Sequence, residues 1–180
     1  MVLLKHKYYD KQGALNLQGI YLGANTPINH MSIKVLNQSQ FTTTSWAGGT
    51  TTELLIYPED STYKALNFDF RLSIATVNTE KSVFTPLPSV CRTLMVLDGN
   101  LELIHEGHHS TKLGKFEFDS FLGDWTTTSL GKAKNFNLMT TQGSEGKLAR
   151  MKLSPGECIK VARNSWYIYN LLCTFRLTGS

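Results

Sequence analysis

Along most of this chain hydrophobic residues recur at alternate positions, and turn-forming residues interrupt the runs at short intervals. In FDFRLSIATV, residues 68–77, Phe68, Phe70, Leu72 and Ile74 fall on one face of a predicted strand. The other face carries Asp69, Arg71 and Ser73. ELLIYPED runs as a strand from Glu53 into a Pro-Glu-Asp turn. In RTLMVLDGNLELIHEGHHSTKL, two β-rich runs flank Asp98-Gly99, a dipeptide suited to a two-residue hairpin turn, and a second reversal is predicted at Glu106-Gly107. Further strands are predicted at 115–118, 135–140, 148–153 and 166–175, with a Pro-Gly turn in LSPGECI before the last. SVFTPLPSV holds two prolines and reads as a loop or edge crossing. Helical signals are confined to a short candidate turn at 61–66 and an ambiguous stretch at 171–175. Many short strands with frequent turn signals predict an all-β sandwich or barrel.

Regular alternation begins near Met31, in MSIKVLNQSQF. Residues 1–30 show Gly, Asn and Pro punctuation without a sustained period and read as an N-terminal extension, with the domain over 31–180. A chain of 180 residues is long enough for one sizeable core or two small packed halves. The 41% hydrophobic and 18% charged composition is that of a folded globular protein. A formal charge of +4, spread without a basic run, argues against nucleic acid as a partner. Cys91, Cys158 and Cys173 have neither the number nor the spacing of a disulfide framework or a zinc site, and read as buried thiols of a cytoplasmic protein. No apolar stretch is long enough to span a bilayer, so no membrane association is expected, and the order of MVLLKHKYYDKQG reverses that of a signal peptide.

HEGHH supplies His105, His108 and His109, the first candidates for a metal, but a hairpin tip would leave them solvated. No compatible carboxylate precedes Glu117, and no metal is expected. Cys91 lacks a sequence-adjacent histidine to activate it. Gly48 and Gly49 lack the lysine and following helix of a phosphate loop. Arg71 and Arg92 both lie on strands, and a strand arginine facing an interior needs an anionic partner. Parity alone leaves open which face of 68–77 looks inward. Asn135 and Asn137 share a strand face and offer an amide pair to a polar ligand.

Together WAGGTTTELLIYPED, FDFRLSIATV, FTPLPSVCRTLMVLDG and FLGDWTTTSLGKAKNFNLM resemble the HutD/Ves family of bacterial cupin-like proteins, over about residues 32–141. The resemblance implies an RmlC-like cupin β-barrel, a bicupin with a reduced second half, without the usual cupin metal ligands and without a cofactor. The first barrel would span about 31–141 and the second half about 142–180, which residues 1–30 would help complete. The resemblance also implies a link to histidine utilisation and no established enzymatic activity. Trp46, Gly48, Gly49, Thr51, Glu53, Arg71, Ser73, Arg92, Asn137, Leu138 and Met139 match the family's motif positions. Cys91 and Asn135 stand where aspartates are common, and the tryptophan-to-glycine spacing is short.

The leading expectation is a non-enzymatic, regulatory binding protein. Arg71 and Arg92 would hold a carboxylate, and Trp46, Thr51, Glu53, Ser73 and Asn137 would complete the site. The resemblance suggests N-formylglutamate or urocanate as the small anionic metabolite, and a homodimer is a further candidate partner. One alternative is a metal-dependent cupin isomerase or dioxygenase built on His105, His109 and Glu117. Another is a structural or stress-linked protein with a packed lumen.

Overall fold

The computed structural model describes residues 36–141, 144–152, 154–155 and 157, with backbone alone at 2–5, 13–15, 19–21, 34–35, 166–169 and 175–177. In chain order the strands begin with β1 (Val2–Lys5), β2 (Gly13–Leu15), β3 (Gly19–Tyr21) and β4 (Lys34–Leu36). Next come β5 (Thr42–Trp46), β6 (Gly49–Tyr57), β7 (Phe70–Val77), β8 (Lys81–Val83), β9 (Val90–Gly99) and β10 (Leu101–His105). They continue with β11 (Ser110–Leu113), β12 (Phe118–Leu122), β13 (Thr127–Leu130) and β14 (Ala133–Thr141), and close with β15 (Trp166–Tyr169) and β16 (Phe175–Leu177). No helix among the described residues is long and apolar enough to cross a membrane.

The chain forms two compact units, Phe41–Glu145 and a second made of Met1–Gln40 with Gly146–Ser180. These boundaries differ from the expected split at residues 31 and 142. In the second unit β1, β15, β3 and β4 form one antiparallel sheet, and β16 pairs with β2. Residues 1–30 supply three of these short paired strands. The strand expected at 148–153 is reduced to a single bridge at Arg150, Cys158 and Cys173 lie outside the described residues, and so does the ambiguous 171–174.

The 41–145 unit is a two-sheet structure. A six-stranded sheet has the order β12-β9-β14-β7-β6-β5, and a four-stranded sheet the order β11-β10-β13-β8. From β7 onward the chain changes sheet at every connection except the β10–β11 hairpin. The sheets pack through Leu94, Val96, Phe121 and Ala133 on one side and Leu101, Leu103 and Leu113 on the other, all buried. Full burial of one such leucine contributes about 1.5–3 kcal/mol. This is the cupin-like, all-β arrangement that the motifs imply.

β7 lies inside the six-stranded sheet, paired with β14 on one side and β6 on the other. Phe70, Leu72 and Ile74 are buried on one face, and Arg71 and Ser73 are buried on the other. The strand starts two residues later than its alternation suggests. Phe68 packs with Leu87, Val90 and Met139 beyond the strand end. The β6–β7 register shifts between Glu53 and Leu55, a bulge that lets both Leu54 and Leu55 be buried while Glu53 stays opposite Ser73. The candidate helical turn at 61–66 contains turns only, and the strand expected at 115–118 begins at Phe118.

Asp98-Gly99 is not a hairpin turn. β9 pairs with β12 and β14, whereas β10 belongs to the opposite sheet, so this dipeptide is the point where the chain crosses between sheets. The conformational requirement holds all the same, because Gly99 has φ of +81°. A Cβ there would also lie 2.4 Å from the carbonyl oxygen of Lys132. Glu106-Gly107 is the true hairpin reversal, with Gly107 at φ +76° and open space around it.

These two glycines yield a paired prediction for urea unfolding. Gly107→Ala should cost about 1 kcal/mol from left-handed backbone alone. Gly99→Ala should cost about 2 kcal/mol or more, because strain adds to a backbone clash. Equal losses would contradict the close approach at Gly99.

Candidate functional site

The Arg71 face of the six-stranded sheet lines a cavity of about 500 Å³. Trp46, Thr51, Glu53, Arg71, Ser73, Arg92 and Asn137, the residues singled out from sequence, all line it. Strand parity accounts for this convergence. Thr51 and Glu53 sit opposite Ala75 and Ser73, and Asn137 and Met139 sit opposite Ser73 and Arg71. Met139 in turn pairs with Arg92 on β9. Directly opposed residues of neighbouring strands project to the same side, so this row of side chains faces one space.

Arg71 is 6% exposed, which answers the question its strand raises. Its Nε donates to Glu53 Oε2 at 2.6 Å, and its NH1 donates to Ser73 Oγ at 3.3 Å. Its guanidinium carbon lies 4.4 Å from the centre of the Tyr63 ring. The charge is inward, and a carboxylate offsets its desolvation.

Arg92 has no such partner. Among the described residues no ion pair or hydrogen bond reaches it, and its Nε is buried and unsatisfied. Its guanidinium carbon lies 4.7 Å from the Phe84 ring centre and 5.1 Å from that of Phe121. Burial pulls its pKa down to about 10, with Tyr63 acting to raise it and Arg71 to lower it. Arg92 is therefore still charged at neutral pH. The cavity lining holds two guanidiniums and one carboxylate, a net charge of one positive.

The remaining polar groups are arranged around these charges. Asn137 Nδ2 donates to Asn135 Oδ1 at 2.6 Å, and both amides are buried. Trp46 Nε1 donates to Thr51 Oγ1 at 3.2 Å. Tyr63 and Phe84 also line the cavity, and the sequence offered no signal for them because both lie on connections without a period. A cavity of this size runs against the packed-lumen alternative.

Two sequence expectations about reactive groups are corrected. Cys91 is exposed rather than buried. His105 is buried, 2% exposed, rather than solvated at the hairpin tip, because β12 of the other sheet brings Asp119 against it. His105 and His109 do converge, but on Asp119; Glu117 instead accepts the Gly114 backbone N–H at 2.7 Å. Burial lowers the pKa of His105, and the hydrogen bond it donates to the Asp119 carboxylate opposes that shift.

Comparison with known proteins adds the following. A family model described as HutD matches residues 38–178. HutD from Pseudomonas fluorescens SBW25, solved in a formate condition, is 25% identical with a TM-score of 0.54, covering 62% of this chain and 61% of that one. The conserved protein of unknown function PA5104 from Pseudomonas aeruginosa PAO1 is 27% identical with a TM-score of 0.52, covering 61% of this chain and 57% of that one. The matched region thus spans about three fifths of the length of these two relatives. No curated protein matches the sequence.

The Glu53–Arg71 pair supports a quantitative prediction. A double-mutant cycle on Glu53→Gln and Arg71→Met, read by urea unfolding, should give a coupling of about 1–2 kcal/mol. An exposed ion pair would give about 0.5 kcal/mol or less, and that result would contradict the geometry.

Proposed function

This chain belongs to the HutD family, and on that footing we propose that its cavity binds a small monoanionic metabolite and that the protein is a binding or regulatory component rather than an enzyme. The single observation that carries this reading is Arg92, a charged guanidinium that lines the open cavity, with a buried, unsatisfied Nε and no ion-pair partner among the described residues. An unpaired buried donor is costly, and a carboxylate relieves it by a charge-assisted bond. Arg71 is already neutralised by Glu53, so Arg92 is the primary anchor and Arg71 a supporting one.

The charge balance refines the ligand class. With one net positive charge in the lining, a single carboxylate brings the site to neutrality, whereas a dicarboxylate leaves an excess negative charge beside Glu53. Trp46, Tyr63 and Phe84 supply aromatic surface for a flat apolar body, and the Asn135–Asn137 amides offer hydrogen bonds to a ring nitrogen or polar substituent. Of the two acids connected with histidine utilisation, this favours urocanate, with one carboxylate and a planar ring, over N-formylglutamate, with two. A cytoplasmic location fits such a ligand and is part of the same proposal.

Calorimetric titration of the full chain tests it. Urocanate should bind at one per chain and more tightly than N-formylglutamate. Arg92→Gln should weaken urocanate binding by about tenfold to a hundredfold, the equivalent of a lost charged hydrogen bond of about 1.5–3 kcal/mol. Unchanged affinity in Arg92→Gln would refute the anchor assignment, and tighter binding of the diacid would refute the charge argument.

A further inference from the structure

A second polar cluster lies apart from the cavity and shares no residue with its lining. His105 ends β10, His109 directly precedes β11, and Asp119 lies on β12. The Nε2 atoms of His105 and His109 lie 3.0 and 2.9 Å from the same carboxylate oxygen, Asp119 Oδ2. The three donor atoms all lie within 4.8 Å of one another. Donors bound to one tetrahedral zinc ion sit about 3.3 Å apart, given bond lengths of about 2.0–2.2 Å. An outward shift of a few tenths of an ångström on the two short edges would therefore admit an ion.

The surroundings supply what a metal-ligating imidazole requires of its other nitrogen. Thr127 Oγ1 lies 2.8 Å from His105 Nδ1 and 3.3 Å from the Trp125 carbonyl oxygen. When the hydroxyl donates to that carbonyl, its oxygen accepts from Nδ1–H, and His105 Nε2 is left with a lone pair aimed at the Asp119 carboxylate. Two lone pairs facing one another at this distance require either a proton or a metal ion between them. The carbonyl–hydroxyl–imidazole relay is the kind of outer support that fixes a ligand's tautomer and ring orientation.

The walls are aromatic. The His105 ring lies 4.5 Å from Phe121 and 5.6 Å from Trp125, measured between ring centres. His108 stacks on Trp125 at 3.7 Å and is not one of the converging donors. His105 is buried, whereas the His109 side chain is 42% exposed, so the cluster opens to solvent on one side.

We propose that His105 Nε2, His109 Nε2 and Asp119 Oδ2 bind a divalent first-row transition ion of the zinc class, with a remaining position for water. Two imidazoles and one carboxylate suit zinc or iron(II), and they disfavour magnesium and calcium, which take oxygen ligands. The ion would link the β10–β11 hairpin of one sheet to β12 of the other, so it would stabilise the folded state by an amount that grows with the logarithm of free ion concentration above Kd. Phe121 borders both sites, but no candidate ligand lines the anion cavity, and either proposal can fail alone.

The test is titration of chelator-stripped, tag-free full chain with Zn²⁺ alone, read by calorimetry and by melting temperature, with Co²⁺ as a spectroscopic probe. The expected result is a saturable calorimetric isotherm at one ion per chain, a melting temperature that rises with Zn²⁺ concentration and the visible absorption of tetrahedral Co²⁺. Thr127→Val should weaken binding by about 10- to 100-fold through His105. His109→Ala and Asp119→Asn should weaken it further, and His108→Ala should leave it unchanged. If Asp119→Asn fails to fold, His109→Ala decides the matter, since its side chain is partly exposed. Absence of stoichiometric Zn²⁺ binding, or binding that survives His109→Ala, would overturn the site and leave Asp119 as the acceptor of two imidazole hydrogen bonds.

Discussion

A guanidinium in the middle of a strand buried on both faces is the constraint around which the rest of the unit is arranged. Arg71 cannot turn outward, because parity commits its neighbours Phe70 and Leu72 to the opposite buried face. Its charge must therefore be met inside the protein. Glu53 meets it, and Glu53 can do so only because the bulge at Leu54 lets β6 bury two consecutive leucines without moving the carboxylate to the wrong side. The local irregularity in TTELLIY is thus a condition for the ion pair. The ion pair in turn keeps the face open and polar where a packed apolar lumen would otherwise be the cheaper solution.

Once Arg71 is neutralised, Arg92 becomes the informative residue. It shares the cavity, lies across Met139 from Arg71 in the sheet, and stacks on Phe84 without meeting a carboxylate. Its contacts with the Phe84 and Phe121 rings offset only part of the cost of desolvating that charge. The asymmetry between a satisfied arginine and an unsatisfied one is the basis of the proposed binding role. It also separates the proposal from a generic basic patch, because the imbalance amounts to a single charge.

Much of this was legible in the sequence, for reasons that are local. The alternation at 70–77 gave β7, and Glu106-Gly107 gave the β10–β11 hairpin, because period and turn chemistry act within a few residues. Asp98-Gly99 was misread because a positive φ serves a crossing between sheets as well as a hairpin, and only pairing with distant strands distinguishes them. The exposure of His105 was misread for a similar reason. A hairpin end is solvated unless another strand covers it, and β12 does so with Asp119 and Phe121, two residues apart and on one face. Tyr63 and Phe84 had no signal because they reach the cavity from connections. The pairing of β1 and β3 with β15 was hidden because segments of three or four residues are too short to show a period.

The central claim, that Arg92 is the vacant anchor while Arg71 is already engaged, is most directly tested by following the two arginine side chains separately. Nitrogen-15 NMR of the Nε–H groups during titration with urocanate does this, with Arg92→Gln and Arg71→Met used to assign the signals. The account predicts a large, saturable shift of the Arg92 Nε–H resonance and a small one for Arg71, whose Nε stays on Glu53. A titration in which Arg71 alone moves, or in which neither resonance responds, would contradict it.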